Sequence, residues 1–357
     1  MGAYDAIMAN QRKARPGQRP AGTRTTIQDV ATEAGVSLTT VSHVLNGKGR
    51  VDARTRDHVR AVADRLGYVP SRTARGLASG RSYTIGLSLP QLAALPPGEL
   101  LDSQWYAQVV VASSQRALDR QYAVAVLPGF TTTEELGRHA VDGVVVLDPV
   151  HDDPRFALLE RARIPHVSVG RDPLHLDVPA VHPDALGGAA ALLTHLAQRG
   201  SRRILLLSAP VEWQHVHDTV AHARQWSAGR DVTVRHIIAG EKLFSRESLY
   251  EDVRRATATA LTAAEPPDAI VGMFEGFGAT IAAGAAAEGC AVPTAVRVAQ
   301  DTDDRSTLTA SPAITALDQH PDQQARAAVD LLLDLIAHRV PADDVVTPVT
   351  LRVRAST

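Results

Sequence analysis

Residues 26–46, TIQDVATEAGVSLTTVSHVLN, decide how the chain is read. Thr26 is placed to N-cap a helix, with Asp29 three positions on, where a carboxylate faces the unpaired N–H groups of a first turn. Ile27, Val30, Ala31 and Ala34 recur at helical spacing. Gly35 ends that helix, because glycine takes a positive φ without steric cost. Ser37 is placed to cap a second helix with an inner stripe of Val41, Val44 and Leu45, and Asn46-Gly47 stops it. Two helices this short, joined by a tight turn, form a helix-turn-helix, and the small Ala31 lets them approach. Leu38, Thr39, Ser42 and His43 are left on the outer face. A plain helical hairpin accounts for the apolar stripe but not for an uncharged polar face followed by Lys48 and Arg50. That face points to DNA.

Working outward, Asp52 caps a third helix lined inside by Val59, Val62 and Leu66, and Gly67 ends it. Residues 1–24 are rich in Arg, Pro, Gly and Gln without periodicity and read as a disordered basic arm. The three helices make a head over residues 25–70. Residues 71–82, SRTARGLASGRS, form a short helical pattern that by itself reads as a linker. At 357 residues the chain has room for two or three domains. Residues 1–81 hold fourteen Lys or Arg against six Asp or Glu, and the rest hold twenty-three against thirty-three, so the net charge of −2 hides a basic head on an acidic body. That asymmetry suits a polyanion-binding module joined to a domain with another task. A single cysteine, Cys290, excludes an internal disulfide framework and fits a cytoplasmic location. No apolar run approaches the ~20 residues of a membrane span, and the basic N-terminus lacks the apolar stretch of a secretory signal.

Residues 26–90 resemble the DNA-binding head and hinge of the LacI (lactose-repressor) family of bacterial transcription regulators. The motifs are Thr26-Ile27-x-Asp29-Val30-Ala31, Ala34-Gly35-Val36-Ser37, Thr40-Val41-Ser42, Val44-Leu45-Asn46-Gly47, Leu66-Gly67-Tyr68-x-Pro70, Ala74-Arg75-x-Leu77 and Ile85-Gly86-Leu87. The resemblance implies a homodimer on a palindromic double-stranded operator, each head laying its second helix in the major groove. The DNA contacts it implies are Thr26, Ser37, Leu38, Thr39, Thr40, Ser42, His43 and Asn46 from the head, and Arg72, Arg75 and Leu77 from a hinge helix. Leu77 would wedge into the minor groove. His43 stands where the family usually has arginine; it offers one donor or acceptor in place of a bidentate fork, so a different half-site or weaker discrimination there is expected, with contact to phosphate alone as the alternative.

From residue 83 short apolar strands alternate with helices, which argues for parallel sheets covered on both faces. Strands are expected at 84–89, 122–127, 143–147, 166–169, 203–207, 232–238, 269–272 and 296–299. Helices are expected at 105–120, 184–199, 246–264 and 278–287, with a further Ala/Leu-striped helix at 324–337. The resemblance implies a periplasmic-binding-protein-like fold over 83–357, two Rossmann-like lobes divided near residue 180, with a return near 312–340 and a small-molecule effector in the cleft. Strand ends face such a crevice.

Candidate effector contacts follow from the resemblance. Trp105 and Tyr106 match an aromatic pair that lines the pocket, with core packing as the alternative. Asp184 matches the first residue of an Asp-Asn pair, here followed by Ala185. Phe274 and Glu275 stand where relatives have Asn-Asp, and the carboxylate would accept hydrogen bonds from ligand hydroxyls. Either Asp301 or Asp303 occupies the place of a ligand-binding aspartate. Thr219 stands near a position where relatives carry an arginine, with His217 and Asp218 as substitutes. The aromatic-and-carboxylate lining leans towards a sugar.

No nucleophile elbow, P-loop or metal spacing is present; His215-x-His217 lacks a third ligand, so neither an enzyme nor a metal or other cofactor is expected. The expected activity is effector-controlled transcription repression. The alternative is a ligand-binding protein whose degenerate head coats DNA nonspecifically or docks on other proteins.

Overall fold

The structure is a computed structural model and describes residues 25–45, 49–69, 80–90, 100–127, 129–211, 213–242, 245–338 and 343–357. The arm expected at 1–24, Asn46-Gly47-Lys48 and the hinge positions Arg72, Arg75 and Leu77 lie outside the described residues. The chain divides into two compact units between Arg81 and Ser82.

The first unit holds α1 (Ile27–Ala34), α2 (Leu38–Leu45) and α3 (Ala53–Arg65). Thr26 and Asp29 form the capping box: the Thr26 side chain accepts from the Asp29 N–H, and Asp29 Oδ2 accepts the Thr26 N–H at 2.8 Å. Gly35 closes α1 at φ 64°. Ser37 Oγ accepts the Thr40 N–H at 3.0 Å and starts α2, and Asp52 Oδ1 accepts the Thr55 N–H at 2.9 Å and starts α3. Val30, Val41 and Val59 are fully buried and meet in one core with Val44 and Val62. Leu45 and Leu66 sit at its edge, half-buried. Thr25 Oγ1 donates to the Leu66 carbonyl at 3.0 Å, tying the start of the unit to the end of its last helix.

The second unit runs through β1 (Thr84–Ser88), α4 (Gln104–Asp119), β2 (Ala123–Leu127), α5 (Thr133–Gly137), β3 (Gly143–Leu147), α6 (Pro154–Arg161), β4 (His166–Val169) and β5 (Ala180–Pro183). It continues through α7 (Ala185–Gln198), β6 (Arg203–Ser208), α8 (Gln214–Ser227), β7 (Thr233–Ile238), α9 (Arg246–Leu261), β8 (Ala269–Gly272), α10 (Phe277–Ala287), β9 (Arg297–Gln300) and α11 (Arg305–Thr309). It ends with β10 (Thr315–Asp318), α12 (Pro321–Ile336), β11 (Val345–Thr347) and β12 (Thr350–Arg352). Two six-stranded sheets result, in the orders β11-β5-β4-β3-β1-β2 and β12-β10-β9-β8-β6-β7. All pairings are parallel except β10 with β12. All five residues of β3 are buried, as a strand covered on both faces requires.

Helices cover both faces of each sheet. On the first, α4 and α12 supply one core and α6 the other, with Phe156 and Leu159 at 0% exposure. On the second, α7 and α8 pack on one face, α9 and α10 on the opposite one. This is the two-lobed α/β architecture the sequence pattern implied.

The chain crosses between lobes after β5, after β10 and after β11, each time stepping from one sheet to the other. Two crossings are tied together by the Asp184 N–H donating to the Thr347 carbonyl at 2.8 Å, and the third is tied to the second lobe by Gln319 Nε2 donating to the Asp301 carbonyl at 2.8 Å. Strands β5, β10, β11 and β12 carry no clear sequence signal. They are three or four residues long, include Pro183 and His182, and owe their pairing to the crossings that deliver them.

Candidate functional site

Two places concentrate the expected residues, one in each unit. On the head, α2 has only Val41 and Val44 buried. Leu38 is 44% exposed, and Thr39 and His43 face solvent beside it. Thr26 and Ser37 are exposed at helix caps, and Thr40 and Ser42 are half-buried. The hydroxyls of Ser37 and Thr40 lie 2.8 Å apart, so this pair presents one joined polar group at the start of α2. His43 lies against Gly49. A Cβ built on Gly49 would lie 2.6 Å from His43 Nδ1, and Gly49 has φ 76°. The face carries no acidic side chain, and an α-helix fits the major groove, about 12 Å wide.

The second place is a cavity of about 440 Å³ between the two sheets, lined by residues from both lobes and from all three crossings. Its walls include Trp105, Tyr106, Asp184, Asp218, Phe274, Glu275 and Asp301. The aromatic groups are arranged in two sets. Trp213 and Phe274 stack with ring centres 5.7 Å apart and planes 9° apart, and His215 stacks on Trp213 at 5.8 Å. Trp105 meets Tyr106 edge to face at 5.0 Å. Tyr106 belongs to the cavity wall and to the first-lobe core together, and its hydroxyl donates to Asp148 Oδ2 at 2.6 Å.

Two of the candidate contacts stand outside the cavity wall. His217 is exposed and does not line the cavity; the turn of α8 places Gln214, His215, Asp218 and Thr219 inward instead. Asp303 is likewise not in the wall. Arg354 grips its carboxylate with two bonds, 2.8 Å to Oδ1 and 2.6 Å to Oδ2, and Thr307 Oγ1 adds a third. Asp301 is the aspartate that faces the cavity. Glu275 lines the cavity and has a second task that the sequence does not show. Its Oε1 accepts the Gln104 N–H at 2.8 Å and its Oε2 accepts the Ser103 hydroxyl, so a second-lobe carboxylate caps the N-terminus of first-lobe α4. Asp184 lies at the cavity's edge and spends Oδ1 on capping α7 through the Gly187 N–H at 2.9 Å.

Two further wall residues, Asp148 from the first lobe and His215 from the second, were not singled out by sequence. Asp148 directly follows β3 and adopts φ 41°, a strained value that aspartate tolerates better than most residues. Its position at a strand's carboxyl end was the available signal. Gly170, at the end of neighbouring β4, has φ 92° and lies where a Cβ would meet Pro149 Cδ at 3.1 Å. Glycine there makes room for the Asp148 loop.

Burial moves the cavity's titratable groups towards neutrality. It raises Asp148, against the opposing pull of His215, the Tyr106 hydrogen bond and Arg155. It raises Glu275, and it lowers His215 despite Asp148. Asp301 is pushed up to about 7, chiefly by burial, with the nearby Asp304 charge adding to it. The two arginines in the wall are engaged. Arg171 pairs with Asp344, and Arg246 bonds Tyr250 and lies beside Glu275.

The lobes are tied across the cleft by the Glu275 cap, by Gln104 Oε1 accepting the Arg305 N–H at 2.7 Å, and by an antiparallel bridge between Val150 and Trp213. Among the described residues no cluster of three or more His, Cys, Asp or Glu suits a metal, and no helix is long and apolar enough to cross a membrane.

Residues 26–71 match the model of bacterial regulatory proteins, lacI family, and residues 193–357 match the periplasmic binding protein-like domain. The chain is 30% identical to the HTH-type transcriptional regulator CelR of Thermobifida fusca over 328 residues, 88% of this chain and 92% of that protein. The chain belongs to the LacI family. It is 28% identical to the HTH-type transcriptional repressor PurR of Escherichia coli O1:K1 / APEC over 88% of this chain and 91% of that one. A solved complex of CelR with cellobiose superposes with a TM-score of 0.68 at 26% identity, covering 94% of this chain and 100% of that one. The lac repressor dimer bound to operator and the anti-inducer ONPF shares the fold, with a TM-score of 0.77 at 22% identity over 94% of this chain and 99% of that one. As a LacI-family member the chain is a DNA-binding transcriptional regulator and not an enzyme.

Proposed function

We propose that this regulator is a homodimeric repressor of a palindromic operator, controlled by a neutral, hydroxyl-rich effector of the saccharide class held between its lobes. The observation that carries the ligand class is the wall chemistry. Stacked aromatic faces suit the C–H face of a sugar ring, and Asp148, Asp218 and Asp301 suit its hydroxyls. Both wall arginines are engaged, so an anionic ligand would meet carboxylates without a free guanidinium. CelR, with a chain of similar length and fold, is solved with cellobiose.

In this reading Leu38, Thr39 and His43 meet base edges while Thr26, Ser37, Thr40, Ser42 and Asn46 fix the helix on the backbone. Arg72, Arg75 and Leu77 engage the minor groove. A ligand touching both lobes favours the arrangement in which the ties through Glu275, Gln104 and Val150 are made. It changes operator affinity to the extent that it binds that arrangement better than an opened one.

Isothermal titration with glucose, cellobiose, maltose and sucrose, set beside glucose 6-phosphate, tests the ligand class. The reading expects a neutral saccharide to bind and the phosphate to be refused; tighter binding of the phosphate would reverse it. His43→Arg tests the groove assignment: the preferred half-site should gain a guanine at one position, and an unchanged preference would move His43 off the bases.

A further inference from the structure

The loop that carries Asp148 into the cavity is held from behind by one buried arginine. Arg155 lies in the first turn of α6 with its side chain 2% exposed, and it takes no part in the cavity wall. Its Nε meets Asp153 Oδ1 at 2.9 Å and its Nη2 meets Oδ2 at 2.7 Å. Nη1 donates to the Ser88 carbonyl at 2.9 Å, and Nη2 to the Leu147 carbonyl at 3.0 Å. One guanidinium therefore joins the carboxyl ends of β1 and β3 to the start of α6. Asp153 extends the clamp, accepting the Val150 N–H at 3.1 Å and donating its own N–H to Asp172 Oδ2 at 2.9 Å. His175 Nδ1 lies 2.9 Å from the same Asp172 oxygen.

Between the clamped ends lie the two residues through which this loop reaches the second lobe. Asp148 lines the cavity opposite residues of the second lobe, and Val150 bridges to Trp213. A buried ion pair is a poor device for stability alone, since apolar residues of equal volume often do as well. What arginine adds is a planar fork that satisfies a carboxylate and two strand-end carbonyls at fixed angles, which lysine cannot reproduce.

We propose that Arg155 is a positioning residue for effector recognition: it fixes residues 147–153 so that Asp148 faces the ligand and Val150 meets Trp213. The proposal rests on the effector-binding reading, but the order of the loop is measurable without any ligand. The test is hydrogen exchange, followed by mass spectrometry, on the full chain and on Arg155→Gln and Arg155→Lys. The expected result for Arg155→Gln is exchange roughly tenfold faster in peptides spanning 147–153, with β6 and β8 unchanged and Arg155→Lys intermediate. Titration with the saccharides above should show affinity falling in the same order. Unchanged exchange at 147–153 in Arg155→Gln overturns the proposal, as does a rise spread evenly over the first lobe. Should Arg155→Gln not fold, Arg155→Lys decides by the same loop-against-lobe comparison. If the unaltered chain binds no saccharide while the loop responds as expected, the ligand class is wrong and the positioning role stands.

Discussion

Replacing Asp301 with asparagine should make the second unit more stable at pH 8 and leave it nearly unchanged at pH 4. Asp301 is raised from 3.8 to about 7, chiefly by burial. Between those values the folded state holds a proton that the unfolded state has released, so stability falls as pH rises from about 4 to about 7 and is level above that. A shift of about three units corresponds to about 4 kcal/mol at ~1.36 kcal/mol per unit. Asp301 is only half-buried, so solvent screening discounts that figure and about 2 kcal/mol is the expected size. Asparagine keeps the shape without the charge, and the variant should escape this fall. Groups such as His215, lowered by burial, act with the opposite sign, but they are common to both proteins and cancel in the difference. All three tryptophans, Trp105, Trp213 and Trp226, lie in the second unit, so their fluorescence follows its unfolding in urea without interference from the head. The stability gap between variant and parent should open between pH 4 and pH 8. A gap equal at both ends would show the effect to be steric and not ionic, and Asp301 would then not carry the pH dependence.

Other perturbations separate the roles of neighbouring groups. Asp303→Asn should cost roughly 2 kcal/mol in the same urea assay, because Arg354 is left half-paired, yet should leave ligand affinity unchanged. Glu275→Gln should weaken saccharide binding roughly tenfold by removing a charged cap that crosses the cleft, measurable by titration calorimetry. Trp213→Ala should weaken it by roughly tenfold to a hundredfold, since the stacked wall with Phe274 is lost. Thr26→Ala should cost the head about 1 kcal/mol, visible as earlier helix loss in thermal circular dichroism.

The head was legible almost to the residue because its signals are local. A capping box, a glycine at positive φ and a valine stripe each act within one turn of chain. The parallel sheets were legible for a similar reason: runs such as GVVVL are apolar on both faces and end abruptly. The cavity was only partly so. Trp105, Tyr106, Phe274 and Asp301 follow strand ends or begin helices, where any open α/β sheet exposes side chains. What sequence could not separate was two aspartates two residues apart, one facing the cavity and one held by Arg354, a partner fifty-one residues away. Nor could it show that Glu275 caps a helix of the opposite lobe, because that bond depends on how the three crossings bring the lobes together.

If the head reads one DNA site, the cavity's occupant should change how tightly it does so. A footprinting titration of the full chain on its own upstream DNA, with and without the bound saccharide, tests both halves at once. The expected result is one protected palindrome of about 16–20 base pairs whose half-saturation shifts when the saccharide is added. Uniform, strongly salt-dependent coating of the DNA, or a single site indifferent to every saccharide that binds, would contradict it.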